Sequence, residues 1–239
     1  MRRLIKETIR KPVCRIRRYL DANIKRRLII MKNCNIDTLF DIGANNGSYA
    51  KNMRAFGYNG RIISFEPLKQ TFQELKRDSL KDNNWIVNNY ALGNENCKRI
   101  LNVSSNSWSS SILNILPLHI ENESESRYIG QEEIEIKKFD SIFNSFCRKE
   151  GRVMIKIDTQ GYEKYVIDGA VASLHRILII QLEMSIVQLY ENEMLIAEMI
   201  NSLDNKGFQL FSLENGFSNH QKGQLLQVDG IFVNRTIDF

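Results

Sequence analysis

Apolar residues along the chain fall into short runs that alternate with stretches of helical spacing. Thr38-Leu-Phe-Asp-Ile42 reads as a strand, and Ser48 to Phe56, ended by Gly57, reads as a helix. The couple recurs as a strand Arg61 to Glu66, closed by Pro67, and a helix Gln70 to Leu80, followed by a third strand Trp85 to Tyr90. Strands that alternate with helices pair in parallel through right-handed crossovers, which predicts a doubly wound α/β sheet covered on both faces. The middle departs from that rhythm. Lys98 to Val103 and Glu132 to Lys138 alternate polar and apolar like exposed strands, and between them lie Ser104-Ser-Asn-Ser-Trp-Ser-Ser-Ser111 and a polar stretch through Gly130. A loop of that kind inside a compact domain is either a functional lid or disordered. The rhythm then returns with a strand Gly151 to Asp158, a helix Tyr162 to Leu174, a strand Ile177 to Glu183 and a helix Leu189 to Leu203. Phe208 to Leu213 and Gln227 to Val233, joined by a polar turn Asn215 to Gly223, predict a terminal antiparallel hairpin.

The 239 residues, 43% hydrophobic, suffice for one core and exclude global disorder. No apolar run exceeds four residues, as at Ile177 to Ile180, far below the roughly 20 residues of a membrane span. Charge changes the picture more. Residues 1–27 hold eleven Lys and Arg against Glu7 and Asp21, so a net +9 sits on this segment while the other 212 residues carry −4. The reading is therefore a basic amphipathic helical extension over 1–31 and one α/β domain over 32–239. Leu4, Ile9, Val13, Ile16, Leu20, Ile24 and Leu28 form the apolar stripe of that extension, with a break near Pro12. Two uses stay open: the stripe docks on the domain or helps form a homo-oligomer, or it is a peripheral membrane contact through residues 1–28. Met-Arg-Arg-Leu at the start has no signal-peptide core, so the expected location is cytoplasmic, free or at the inner face of the membrane. The cysteines at 14, 34, 97 and 147 and the three histidines are too scattered for a zinc motif, and no metal ligand is assigned.

Chemistry concentrates at the strand ends. In Asp41-Ile-Gly-Ala-Asn-Asn-Gly47 the glycines permit a tight strand-to-helix turn at the sheet edge where ligands bind. A dinucleotide fingerprint would have glycine where Asn45 stands; an acidic residue and this spacing suit S-adenosylmethionine, whose ammonium an acid can receive. Glu66, 19 residues beyond Gly47, has the offset of an acid that binds ribose hydroxyls. Ala91 then falls beside the adenine. The plain alternative is a glycine turn with no ligand. Lys156 and Asp158 share a strand face by the period of two, and Glu183 ends the next strand. A purely structural Lys156–Glu183 ion pair is the competing reading.

Asp41-Ile-Gly-Ala-Asn-Asn-Gly47, Phe65-Glu-Pro67, Ala91-Leu-Gly93, Lys156-Ile-Asp-Thr-Gln-Gly-Tyr-Glu163 with Asp168-Gly-Ala170, Glu183 and Gln227-Val-Asp-Gly-Ile-Phe-Val233 together resemble the FkbM family of S-adenosylmethionine-dependent methyltransferases over residues 36–235. The resemblance implies a class I methyltransferase fold, a Rossmann-like sheet of about seven strands with its last hairpin antiparallel. It also implies O-methylation of a hydroxyl on a sugar, glycan or natural product. It assigns the cofactor to Asp41, Gly43, Gly47 and Glu66, beside Asn45 and Ala91, and active-site duty to Asp158. One common form of the family has Glu where this chain has Gln160, which leaves a metal role there open.

An alcohol acceptor must lose a proton, so Asp158 is the candidate base, directly or by holding a divalent ion, with Glu183 nearby and His220 in the terminal turn as a second candidate. A nucleic-acid methyltransferase would explain the basic tail, but exocyclic-amine enzymes carry Asn/Asp-Pro-Pro-aromatic where this chain has Asp158-Thr-Gln-Gly161. The partner expected is a saccharide or natural product and not nucleic acid. A non-catalytic cofactor-binding or recruitment module is the remaining alternative.

Overall fold

The computed structural model describes residues 22–237, so most of the expected N-terminal helix lies outside the described residues. Its last part is helix α1, residues 22–33. Ile24, Ile30 and Met31 of α1 are buried against the domain, at about 1.5–3 kcal/mol for each such side chain. Arg27 reaches from the same helix to form a forked ion pair with the buried Glu214 carboxylate. This stretch of the apolar stripe docks on the domain.

Seven strands form the main sheet. β1 (Thr38–Ile42), β2 (Arg61–Phe65), β3 (Trp85–Asn88), β7 (Val153–Ile157) and β8 (Ile177–Ser185) are parallel. β9 (Phe208–Asn215) and β12 (Gln227–Asn234) close the edge, β12 running antiparallel between β8 and β9. The order is β3-β2-β1-β7-β8-β12-β9. Helices α2 (Ser48–Ala55) and α3 (Lys69–Ser79) join α1 on one face; α5 (Phe139–Phe146), α6 (Glu163–Gly169) and α7 (Ile196–Asn205) cover the other. Alternation along each strand feeds both: Phe40, Ile63 and Ile155 pack under α5 and α6, whereas Leu39, Ile62 and Met154 pack under α1 and α2. The expected doubly wound sheet with a final antiparallel hairpin is the fold observed.

A three-stranded sheet, β4 (Ala91–Gly93), β6 (Tyr128–Lys138) and β5 (Cys97–Ser104), is inserted after β3, with the short helix α4 (Pro117–Asn122) between β5 and β6. It carries its own core of Leu68, Leu101, Ile134 and Ile136. The strand read through Tyr90 therefore stops at Asn88, and the chain crosses to the second sheet. The polar turn before β12 holds a further two-strand pair, β10 (Ser218–Asn219) and β11 (Gln224–Leu225).

One expected helix starts late. Leu189 to Leu195 is a loop, because the Glu193 carboxylate takes the backbone N–H of Leu189 and Tyr190 and the Ser185 hydroxyl. Leu189 and Tyr190 are then buried in a satellite cluster with Leu226 instead of lying along a helix. The helix read from Tyr162 to Leu174 ends at Gly169, where a Cβ would stand 1.8 Å from the Gly93 carbonyl oxygen; α6 and β4 approach too closely for any side chain. Among the described residues, no helix is long and apolar enough to cross a membrane.

Candidate active site

Register explains how distant residues meet. Ser64, Asp41, Lys156 and Gln181 are successive partners across β2, β1, β7 and β8, so they form a polar row on the α1/α2 face, one step beyond the apolar row of Ile62, Leu39, Met154 and Ile179. Two residues further along each chain stand Glu66, Gly43, Asp158 and Glu183, at the carboxyl edge where open sheets bind ligands.

The first row is a support. Lys156 is 6% exposed, and its Nζ lies 3.4 Å from Asp41 Oδ1 and 3.2 Å from Asp158 Oδ2 and donates to the Gly43 carbonyl at 3.1 Å. Burial works against its charge, but Asp158 and Asp41 outweigh it and hold the ammonium protonated. Asp41 is fully buried, accepts from Ser64 Oγ at 3.2 Å, and has its carboxyl pushed upward by that burial. Tyr49, on the first turn of α2, donates to Gln181 Oε1 at 2.7 Å.

The second row opens on a cleft of about 690 Å³, solvent at its mouth included. Gly43 and Asn45 form its floor, Glu66 one wall, and Asp158, Thr159, Gln160 and Tyr162 the opposite wall. Leu68, Ala91, Leu92, Leu101 and Ile112 make an apolar slot beside Glu66. The turn at the floor is left-handed at Gly43 (φ 73°), Asn45 (φ 47°) and Gly47 (φ 78°). Asn45 tolerates that backbone, and its N–H donates to Glu66 Oε2 at 2.8 Å while Leu68 N–H donates to Oε1 at 2.8 Å. Each carboxylate oxygen keeps acceptor capacity for a ligand hydroxyl. Burial pushes Glu66 up to about 7 against the pull of these two N–H groups.

On the opposite wall Gln160, itself left-handed at φ 54°, donates from its amide nitrogen to Asp158 Oδ1 and to Glu183 Oε2, each at 2.9 Å. Gln227 adds a second donor to Glu183 Oε2 at 3.0 Å. Burial first, then Asp158, Asp229 and Glu163, raise the Glu183 carboxyl well above the usual range. Glu163 holds the turn from below by accepting from Thr159 N and Oγ1 at 2.7 and 3.1 Å, and burial pushes it to about 7. The serine-rich segment is ordered and forms the roof. Ser107, Trp108, Ser110 and Ser111 line the cleft; Ser107 Oγ accepts from Asn45 Nδ2 at 3.3 Å, and Ser111 Oγ donates to the Gln160 carbonyl at 2.7 Å.

The structure thus brings Gly43, Asn45, Glu66, Ala91 and Asp158 to one cavity, with Glu183 joined to it through Gln160. Asp41 and Gly47 stand behind the wall: Asp41 faces Lys156, and a Cβ on Gly47 would meet the buried Trp85 ring at 2.7 Å and Leu75 at 2.8 Å. Lys156 pairs with Asp41 and Asp158, not with Glu183. His220 is exposed in the turn between β10 and β11 and is not among the cleft residues, because that turn forms its own small hairpin. Sequence reasoning missed Tyr162 and Tyr190. Among the described residues, no group of three or more His, Cys, Asp or Glu is arranged to hold a metal ion.

The family described as Methyltransferase FkbM domain matches residues 41–210. Among solved structures the chain is similar to methyltransferase FkbM from Methylobacillus flagellatus, at 15% identity and a TM-score of 0.50, over 82% of this chain and 43% of that one. The chain therefore spans less than half the length of that protein. It is similar also to magnesium protoporphyrin IX methyltransferase from Synechocystis, solved with bound SAH, at 8% identity and a TM-score of 0.50, over 91% of this chain and 82% of that one. At such identities the likeness shows the class I methyltransferase fold. No curated protein matches the sequence.

Proposed function

The chain belongs to the methyltransferase FkbM domain family, and from that membership we propose that it transfers the methyl of S-adenosylmethionine to a hydroxyl of a sugar, glycan or natural product. The observation that carries this reading is that Glu66 and Asp158 line opposite walls of one cleft over the Gly43 turn.

The residues present fit the donor. Glu66 has acceptor capacity for two ribose hydroxyls, and the slot of Ala91, Leu92 and Leu101 is apolar and flanks it, as an adenine requires. Gly43 has no room for a side chain and presents backbone instead. When bound, S-adenosylmethionine supplies an electrophilic methyl on sulfur. Asp158 receives the acceptor hydroxyl's proton, with Lys156 as its counter-ion 3.2 Å from Oδ2. Trp108 and its serine neighbours line the same cleft, where they would help hold the acceptor oxygen in place as the nucleophile.

Acceptor class follows from charge. Glu183, Glu163 and Asp229, whose carboxyls burial raises, lie around the turn that carries Asp158. Lys156 is engaged by two carboxylates and Arg27 by Glu214. A neutral polyol suits such surroundings and a phosphate backbone does not. The test is transfer of isotope-labelled methyl from S-adenosylmethionine to a panel of free and lipid-linked saccharides, with RNA and DNA alongside. O-methyl product on a saccharide supports the reading; label on nucleic acid refutes the acceptor class. Tight S-adenosylhomocysteine binding without any transfer points to a recruitment module.

A further inference from the structure

The Gln160 amide could turn either way on its last bond, and two groups decide which way it faces. Ionised carboxylates only accept, so Asp158 and Glu183 in that form select its nitrogen end, and both hydrogens of that NH2 are used, at 2.9 Å each. The oxygen end needs a donor. It receives the Tyr190 hydroxyl at 2.7 Å; the same hydroxyl lies 3.2 Å from the Ser109 carbonyl of the roof. Burial above all holds that hydroxyl protonated and therefore a donor.

Several features place Tyr190 there. It is fully buried, although it sits in the loop after β8, and Glu193 takes its backbone N–H at 2.9 Å. Gly161 (φ 91°) lets the loop pass, since a Cβ there would stand 3.0 Å from Tyr190 Cβ. His119 packs edge-on against its ring, centroids 5.2 Å apart. The Gln160 backbone is held in a left-handed conformation that glutamine seldom adopts, with its carbonyl tied to Ser111.

We infer that Tyr190 is a positioning residue, which fixes the Gln160 amide so that its two N–H groups are presented to Asp158 and Glu183. This rests on the reading of Asp158 as the proton acceptor. Glu183 reports the arrangement. Asp158 beyond β7, Glu163 on α6 and Asp229 on β12 all disfavour its charge; Lys156 on β7 and the N–H groups of Gln160 and Gln227 favour it. In the absence of the Tyr190 hydroxyl, the half-buried Gln160 oxygen loses its donor, the amide turns to find another, and Glu183 loses one of its two N–H partners.

The experiment needs no acceptor. The full chain, labelled with 13C at glutamate carboxyls and 15N at glutamine side chains, is titrated by NMR as wild type, Tyr190→Phe and, for assignment, Glu183→Gln. Affinity for S-adenosylhomocysteine serves as the control for an intact fold. Tyr190→Phe is expected to raise the Glu183 midpoint by about half a pH unit or more and to release the Gln160 NH2 to rapid exchange with water, with affinity unchanged within twofold. An unmoved midpoint and an unmoved Gln160 signal in a variant that binds normally overturn the inference. If Tyr190→Phe does not fold, the wild type still decides: its Gln160 NH2 must shift in step with the Glu183 titration and exchange slowly, and free exchange there refutes the arrangement. Turnover in Asp158→Asn would instead sink the proposed mechanism while leaving this result in place.

Discussion

No side chain can stand between Gly43 and Asp158: a Cβ on Gly43 would lie 1.8 Å from the Asp158 carbonyl oxygen. The turn that forms the cleft floor is thereby pressed against the turn that carries the candidate base, and the Asp158 N–H donates to the Ile42 carbonyl at 3.1 Å. Gly43→Ala is expected to push these turns apart. The left-handed backbone alone costs about 1–3 kcal/mol for a residue with a side chain, and the displaced backbone adds to it. Denaturant unfolding should show the loss, together with weakened S-adenosylhomocysteine binding. Binding and stability both at the wild-type level would show that the close approach has no such role.

Glu66 makes the site pH-dependent. Its folded value of about 7 lies above the ordinary 4.5, so the ligand-free folded chain holds an extra proton between these values and loses stability as pH rises through that window. Ribose hydroxyls donate to the ionised carboxylate, so S-adenosylhomocysteine affinity is expected to fall below pH 7 by up to about tenfold per unit. Glu66→Gln should abolish this dependence of affinity. In the stability curve it removes one share only, because Glu163 is also pushed to about 7. Calorimetric titration from pH 5.5 to 8 checks the affinity, and a flat wild-type profile contradicts the assignment.

Much of this was readable from sequence where the signal is local. β1 and β2 are bounded by glycine and proline, so their ends, and with them Gly43 and Glu66, are fixed by nearby residues. The facing of Asp41 is not local. It depends on Ser64 and Lys156, which reach it through strand register, and the support row is invisible until β1, β2 and β7 are aligned. Tyr190 lay in a stretch of helical spacing; the contact from Glu193 that makes it a loop has no periodic signature. His220 looked chemically apt, but its turn folds on itself and leaves the ring exposed.

Trp108 offers an optical readout. It is 53% exposed and lines the cleft, whereas Trp85 is 7% exposed and donates its indole N–H to Ser64 Oγ. S-adenosylhomocysteine is expected to change tryptophan emission through Trp108 alone. The change should vanish in Trp108→Phe; its persistence there would mean that ligand does not reach the roof.

The N-terminal segment calls for a cut that respects α1. Because Ile24, Ile30 and Met31 are buried, removal of residues 1–21 is the clean truncation, and removal to Met31 would strip part of the core. Sedimentation with anionic and neutral vesicles should show anionic-selective, salt-sensitive binding of the full chain that is lost without residues 1–21. No binding by the full chain would leave docking or oligomerisation as the use of residues 1–28.

The central claim is that the cleft between Glu66 and Asp158 holds S-adenosylmethionine, and calorimetric titration of S-adenosylhomocysteine and of NAD into the full chain tests it most directly. The expected result is one S-adenosylhomocysteine per chain, no NAD, an affinity reduced about tenfold to a hundredfold by Glu66→Gln, the equivalent of about 1.4–2.8 kcal/mol, and Asp158→Asn within a few-fold of wild type. NAD binding in place of S-adenosylhomocysteine, or an affinity indifferent to Glu66→Gln, would contradict it.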